Sequence, residues 1–466
     1  MNQQLRLAAR LPQSTLGLVE DNDRLLHGIR LRWSALSQSE RLVCLGIVLL
    51  PLWWLLGWAY MMLMLTIGIV VYEHLHNGGL RLQRPSLIAC SALTYGLFRL
   101  VSIGLHLGEL TPHLVLGQLN DWICCGLLIW YIQSKDIRVR PLVVAWACSI
   151  AVLEMLVFWL IVHFIFKEPS FTPSLSIFGL LTNKSERYVP GSGSGNYLIP
   201  YLPGDKALAG LSRFCFFFVG PESFAMLASY IGLLAFDIKN RWWSLLMVPA
   251  CIFLLLLSGT RSAWIIFPLL VTLRYLWMIG KVWGPALLYF IIAVASFITF
   301  SLPPTTDLLS DSLTHTAKAT SKYRADSTET RHKIYARTLD AVWNEPDQLL
   351  FGHAVSGSSV LPGYAPARIG SHSFILGTLL YQSGLVGSGV FLTFWASFIL
   401  WVYNTRTQRP LSSLLMLLYF SLTFLVMEIE MTIVVLIFLS TVRDKSVTKL
   451  NNRRIRMNSM SGCNLV

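Results

Sequence analysis

Charged residues are scarce. Only 13% of the 466 residues are Asp, Glu, Lys or Arg, while 54% are hydrophobic and the mean hydropathy is +0.58. A soluble domain carries about 25% charged residues. Much of this surface therefore faces something other than water, and the long apolar runs identify it as lipid. Acidic residues are the scarcer sign, 24 against 37 Lys and Arg, for a net charge of +13. That excess does not point to nucleic acid, because most Lys and Arg fall in short clusters between apolar runs, as in cytoplasmic loops of membrane proteins. Of the eight cysteines, all but Cys463 lie in apolar runs, and the long polar segments hold none, which excludes a disulfide framework. No CxxC or HxxxH spacing marks a metal site, and no internal repeat is visible. About forty polar residues precede the first apolar run, so no cleavable leader is expected.

Apolar runs fall near 42–57, 58–75, 86–107, 114–133, 141–166, 213–236, 242–258, 262–279, 284–302, 372–403, 411–427 and 429–442. A membrane-spanning helix needs about 20 residues. The first two runs form one block too long for one span, and Gly57 within the Trp53, Trp54, Trp58 and Tyr60 cluster marks an interfacial turn. Charge tests the count. Arg81/Arg84, Lys135/Arg138/Arg140, Lys239/Arg241, Arg274/Lys281 and Arg406/Arg409 sit on alternate connections. With twelve spans they share one side with the six arginines of the N-terminal segment and the six basic residues of the C-terminal tail. The opposite short connections carry Glu109 or Glu428/Glu430 and, Arg261 apart, no basic residue. The expected fold is an all-α integral membrane protein of about twelve transmembrane helices with both ends cytoplasmic.

The expected divisions are a cytoplasmic tail 1–41, helices one to five over 42–166, an outer loop 167–212, helices six to nine over 213–302, a large outer loop 303–371, helices ten to twelve over 372–442, and a basic cytoplasmic tail 443–466. The first loop contains the flexible stretch GSGSGN at 191–196. The larger is partly helical. Ile334, Leu339 and Val342/Trp343 recur at helical spacing over 330–343, and Pro346 ends the pattern.

Three residues stand out at the outer face. Arg261, in SGTRSAW, lies between two apolar runs. It reads either as an anchor snorkelling to lipid phosphate or as a ligand for a phosphate or pyrophosphate. Arg331, with His332, Lys333 and Arg337, makes the loop helix basic. That is a solvated face neutralised by Glu329 and Asp340, or an anion site at a helix start. His372 lies where the large loop returns to the membrane. It is a polar cap or a general base. Gly384, Gly387 and Gly389 follow on small-residue spacing suited to close helix packing. Within the membrane, Arg99 and Asp121 could pair, and Glu154 and Glu222 either act or face the bundle interior. Asp21-Asn22-Asp23 has the spacing of a metal-nucleotide site but sits on the cytoplasmic tail.

Four segments together resemble the bacterial O-antigen ligase and O-antigen polymerase superfamily. They are LSRFCFFFVGPESFAMLASY (211–230), LLLSGTRSAWI (255–265), RHKIYARTLDAVWNEPDQLLFGHA (331–354) and HSFILGTLLYQSGLVGSGVF (372–391), in that order. Glu222 stands where asparagine is usual, and GHAVSGS at 352–358 lacks the usual GxG pattern. The resemblance implies a metal-independent, inverting glycosyltransferase at the periplasmic side of the bacterial inner membrane, without cofactor. Its donor would be a glycan on undecaprenyl pyrophosphate. Its acceptor would be a sugar hydroxyl, on lipid A-core for a ligase or on another lipid-linked repeat for a polymerase. Membrane lipids and the polysaccharide-export machinery are the other expected partners. In these roles His372, Arg261 and Arg331 would be catalytic, and Arg213, Glu222, Lys333 and Arg337 would bind substrate. The rival class is a transporter or flippase of lipid-linked sugars; a structural or sensor membrane protein is a third. The missing repeat and the concentration of polar residues in two outer loops speak against transport.

Overall fold

The computed structural model describes residues 25–27, 30–107, 112–181, 197–206, 210–238, 240–283, 290, 325–361, 367–424, 427 and 433–444. Asp21-Asn22-Asp23, Glu109, the GSGSGN stretch, the 284–302 run apart from Phe290, Glu428, Glu430 and Cys463 lie outside them.

The chain is mostly helical. Among the described residues the α-helices of seven residues or more are α1 (Gln38–Val48), α2 (Leu50–Leu56), α3 (Met61–Asn77), α4 (Leu87–Leu107), α5 (Pro112–Gln118), α6 (Cys124–Ser134), α7 (Pro141–Leu160), α8 (Pro221–Ala235), α9 (Arg241–Ser258), α10 (Arg261–Trp283), α11 (Ala325–Asn344), α12 (Gly384–Asn404), α13 (Leu411–Thr423) and α14 (Ile433–Thr441). A π-helical turn, Leu119–Ile123, joins α5 to α6, and a ten-residue π-helix, Phe374–Ser383, precedes α12. Local signals set the ends. Ser37 and Glu40 form a capping box on α1, and Asn240 caps α9, its side chain accepting from Trp242 and Trp243 N–H. Proline opens α5, α7 and α8, where its missing N–H is harmless.

Among the described residues six helical stretches are long and apolar enough to cross a membrane: Leu87–His106, Val115–Ser134, Pro141–Ile165, Arg241–Ser258, Arg261–Ile279 and Phe374–Asn404. The α1–α2 pair, bent by 68°, would make a seventh, and α13 is apolar but shorter. The chain is thus a multi-pass helical membrane protein. The count of twelve remains an expectation. One boundary differs from the sequence reading. The apolar run from 213 does not begin a helix: Ser212–Phe214 is a strand paired antiparallel with Tyr201–Lys206, and α8 starts at Pro221. Phe214 and Phe216 are buried although not helical. The apolar character reports burial against the Tyr201–Lys206 strand and α8, and continuous burial looks the same in a strand as in a helix.

Charged groups gather at the two ends of the bundle. At one end Arg140 grips the fully buried Glu40 through Nε (2.7 Å) and Nη2 (2.8 Å). Lys135 pairs with Glu73 (2.9 Å), Arg274 with Asp237 (2.7 Å) and Arg443 with Asp136 (3.5 Å). This layer ties the two halves together, since Val139 bridges Val442 and Asp237 accepts from Ser412 N–H. Its basic residues come from the 135–140 and 274–281 clusters and from the C-terminal tail, all expected on one side. Asp237 follows the C-terminal end of α8; Glu222 begins that helix, about 20 Å away along its axis. The second polar centre forms there.

Candidate active site

The site is built where four helix ends meet. Gly259 closes α9 in a left-handed turn (φ +62°), and a Cβ there would come within 3.2 Å of the Arg213 side chain. The SGTR turn needs glycine for its backbone and for room. Arg213, itself buried, passes through that room: its Nε donates to the Ser258 carbonyl (2.7 Å) and its Nη2 to Glu222 Oε1 (2.8 Å). Asp205, on the partner strand, adds a longer contact at 3.4 Å. Thr260 Oγ1 donates to the Pro221 carbonyl (3.2 Å), which sets Arg261 beside the start of α8.

The large loop reaches the same place. α11 buries Ile334, Thr338 and Val342 and leaves Leu339 and Trp343 exposed, so of the expected Ile334, Leu339 and Val342/Trp343 stripe only Ile334 and Val342 face inward. The polar Thr338 belongs inside because it has work there: its Oγ1 accepts from Gly370 N–H at 2.9 Å. Tyr335 OH donates to the His372 carbonyl (3.1 Å). One turn earlier on this face is Arg331, whose charge, after that of Arg213, acts on Glu222. Lys333 and Arg337 point to the exposed side, where Lys333 pairs with Glu329 (2.7 Å) and holds its carboxyl below the usual range.

His372 occupies a left-handed backbone conformation (φ +66°), a strained position for a non-glycine residue. Its Nδ1 lies 2.7 Å from Ser371 Oγ. Ser371 Oγ also donates to the Arg368 carbonyl at 2.7 Å. A hydroxyl has one proton, so with that proton on the carbonyl, Nδ1–H donates to Oγ and the basic lone pair of a neutral ring is on Nε2. Two residues later Phe374 N–H bonds the Met427 carbonyl (3.0 Å), and Met427 Sδ is 3.6 Å from Ser262 Oγ, next to Arg261.

Hydrogen bonds thus link Thr260 to Pro221, Tyr335 to His372, Phe374 to Met427 and Ser262 to Met427, and the charge of Arg331 reaches Glu222. Residues up to about 200 positions apart in the chain are therefore linked at this end of the bundle. Residues 245–392 match the family model described as O-antigen ligase. The chain carries an O-antigen ligase domain. No curated protein matches the chain significantly. The O-antigen ligase domain contains Arg261, Arg331, His372, Lys333 and Arg337; Arg213, Glu222 and Met427 lie outside it.

One expectation about partners changes. Arg99 does not pair with Asp121. Its Nη2 donates to Gln382 Oε1 (2.9 Å), while Asp121 accepts from Asn120 (2.9 Å), whose own Oδ1 caps Leu63 N–H near the start of α3. Glu154 Oε2 has no hydrogen-bond partner among the described residues. Of the three glycines on small-residue spacing, Gly384 and Gly387 are needed: a Cβ on Gly384 would meet the Leu350 carbonyl at 2.5 Å, and one on Gly387 would meet Phe98 at 2.5 Å. Gly389 has nothing within 4 Å. Sequence reading missed Tyr335 and Thr338, although their spacing from Arg331 puts all three on one helix face. No sequence signal marked Gln382 or Met427.

Proposed function

We propose that this protein transfers a glycan from undecaprenyl pyrophosphate to a sugar hydroxyl at the periplasmic face of the inner membrane. The links of Thr260 to Pro221 and of Tyr335 to His372, which bring the neighbours Arg261, Glu222 and Arg331 to the same end of the bundle, carry this reading. A pyrophosphate leaving group develops negative charge as the sugar C1–O bond breaks. Arg261 and Arg331 supply fixed positive charge for it, and guanidinium forks match phosphate oxygens in pairs. Arg213 holds Glu222, and through the Ser258 carbonyl it holds the SGTR turn. His372 Nε2 takes the acceptor proton as the hydroxyl oxygen attacks C1 from the opposite side, inverting it. The electron pair of the broken bond leaves on the pyrophosphate. General-base help of this kind is worth about 10²–10⁴ in rate. Lys333 and Arg337, on the exposed helix side, suit the approach of an anionic substrate better than the chemical step.

The O-antigen ligase domain supports a ligase-like activity in general. Lipid A-core as acceptor makes the protein a ligase; a second lipid-linked repeat makes it a polymerase. Both reactions use the same donor and the same base. The remaining topology belongs to this proposal too: loops 167–212 and 303–371 face the periplasm, and the basic tails the cytoplasm. The deciding experiment is a deletion strain with its surface polysaccharide resolved on a gel, complemented with wild type or His372→Ala. Unattached polymer identifies a ligase and single repeat units a polymerase. Normal polysaccharide in the deletion strain, or full rescue by His372→Ala, defeats the reading.

A further inference from the structure

Arg99 is a guanidinium in an apolar helix, 5% exposed, that makes no ion pair among the described residues. A charge within a membrane helix is costly and points to a function. Its partners lie at the C-terminal end of the 374–383 π-helix: Gln382 Oε1 at 2.9 Å and Ser383 Oγ at 3.4 Å. Gln382 uses its whole amide. The oxygen accepts from Arg99, and Nε2 donates to the Gly370 carbonyl (2.9 Å) and to Ser356 Oγ (3.1 Å). With the amide flipped, its NH₂ would face the guanidinium, donor against donor. Arg99 therefore decides that Gln382 points its donors at Gly370.

Gly370 begins the turn that carries His372. Its φ is +77°, and His372 follows at +66°. Two left-handed residues in three are held only where the surroundings over-determine them. Here the turn is fastened on two sides. Thr338 and Tyr335 hold it from the large loop, through Gly370 N–H and the His372 carbonyl. Arg99 and Gln382 hold it from within the membrane, through the Gly370 carbonyl. The π-helix widens just there, so that Ser383 Oγ donates back to the Thr378 carbonyl (2.7 Å) while Tyr95 OH lies 3.2 Å from the same hydroxyl.

We infer that Arg99 and Gln382 are positioning residues for His372, acting through the Gly370 carbonyl and touching no substrate. This rests on His372 as the base of the proposed transfer. It assigns a role to α4, which lies outside the O-antigen ligase domain.

The test uses the purified full-length chain in detergent, with two readouts: transfer kinetics on a lipid-linked glycan donor, and the rate of diethylpyrocarbonate modification of His372 followed by mass spectrometry. Gln382→Glu keeps an acceptor for Arg99 and removes the donor to Gly370. It should lower kcat by about 10–100-fold, the cost of a displaced catalytic group, with the donor KM unchanged. It should also change the His372 modification rate while the melting temperature holds. Arg99→Lys, which keeps a donor for Gln382, should retain more activity than Arg99→Met, and this pair replaces Gln382→Glu if that variant does not fold. Wild-type kcat and wild-type His372 reactivity in these variants overturn the inference. A changed His372 reactivity together with a fully active His372→Ala keeps the clamp and defeats the base assignment instead.

Discussion

Substituting Gly370 by alanine adds one methyl group at the point where the histidine turn meets the membrane bundle. Its φ of +77° lies in the left-handed region, which costs an L-residue about 1–2 kcal/mol. The new Cβ would stand 2.2 Å from Tyr381 Cδ1 and 2.8 Å from Cε1. Tyr381 has little room to withdraw, being 5% exposed and stacked on His353 with ring centroids 4.1 Å apart. Overpacking of this kind costs about 1–3 kcal/mol. The sum is about 2–5 kcal/mol, more than a tenfold shift in the folding equilibrium. Because the strain falls two residues from His372, transfer activity should drop as well. Gly389→Ala is the control: it has nothing within 4 Å, lies inside α12, and should gain roughly 0.5–1 kcal/mol. Thermal unfolding of the detergent-solubilised protein, followed by tryptophan fluorescence, compares the two. If Gly370→Ala melts with the wild type and transfers glycan normally, or if Gly389→Ala is equally harmful, the packing argument is wrong.

Tyr335→Phe removes the hydroxyl that holds the His372 carbonyl and should cost about 0.5–1.5 kcal/mol with a larger fractional loss of kcat. Lys333→Ala, on the exposed side of α11, should stay within about 0.5 kcal/mol of wild type, and equal loss in the two variants counts against the assigned faces. Arg213→Met leaves the Glu222 carboxylate and the Ser258 carbonyl without their donor; a loss of about 1.5–3 kcal/mol in unfolding measurements is expected, and a silent variant would remove Arg213 from the site. Transfer should continue at its untreated rate in EDTA, since arginine charge serves the leaving group; activity lost there and restored by magnesium or manganese would replace that account. Reporter fusions at Ser192 and Ala325 should be active only with a periplasmic reporter, and a cytoplasmic signal at either would take the site off the outer face.

Much of the site was legible because its chemistry is rare in such a chain. In a sequence this poor in charge, Arg261 beside an apolar run and His372 at the return of a long loop stand out against their neighbours. Arg331 was marked by a helix pattern with basic residues. The pattern did not say which basic residues face inward. Arg331 shares its face with Tyr335 and Thr338, while Lys333 and Arg337 project outward, and the rotation depends on what α11 packs against. Similarly, an arginine in an apolar helix calls for a partner. Asp121 was the obvious choice by charge, yet the packing of α4 against α12 brings Gln382 within reach and leaves Asp121 to Asn120.

By itself, the sequence determined the class and marked the candidate residues. Its hydropathy requires a membrane helix bundle, because backbone polar groups in lipid must be satisfied within helices. Its segments 211–230, 255–265, 331–354 and 372–391 supply the residues of the candidate site. Only the tertiary structure decided which of them meet. The Arg213–Glu222 pair depends on a strand where an apolar run suggested a helix, since hydrophobicity records burial and not backbone form. The orientation of the His372 turn depends on donors from α11 and from Gln382, and Gln382 on Arg99. Those bonds join residues tens to hundreds of positions apart, and a short-range pattern carries no record of them.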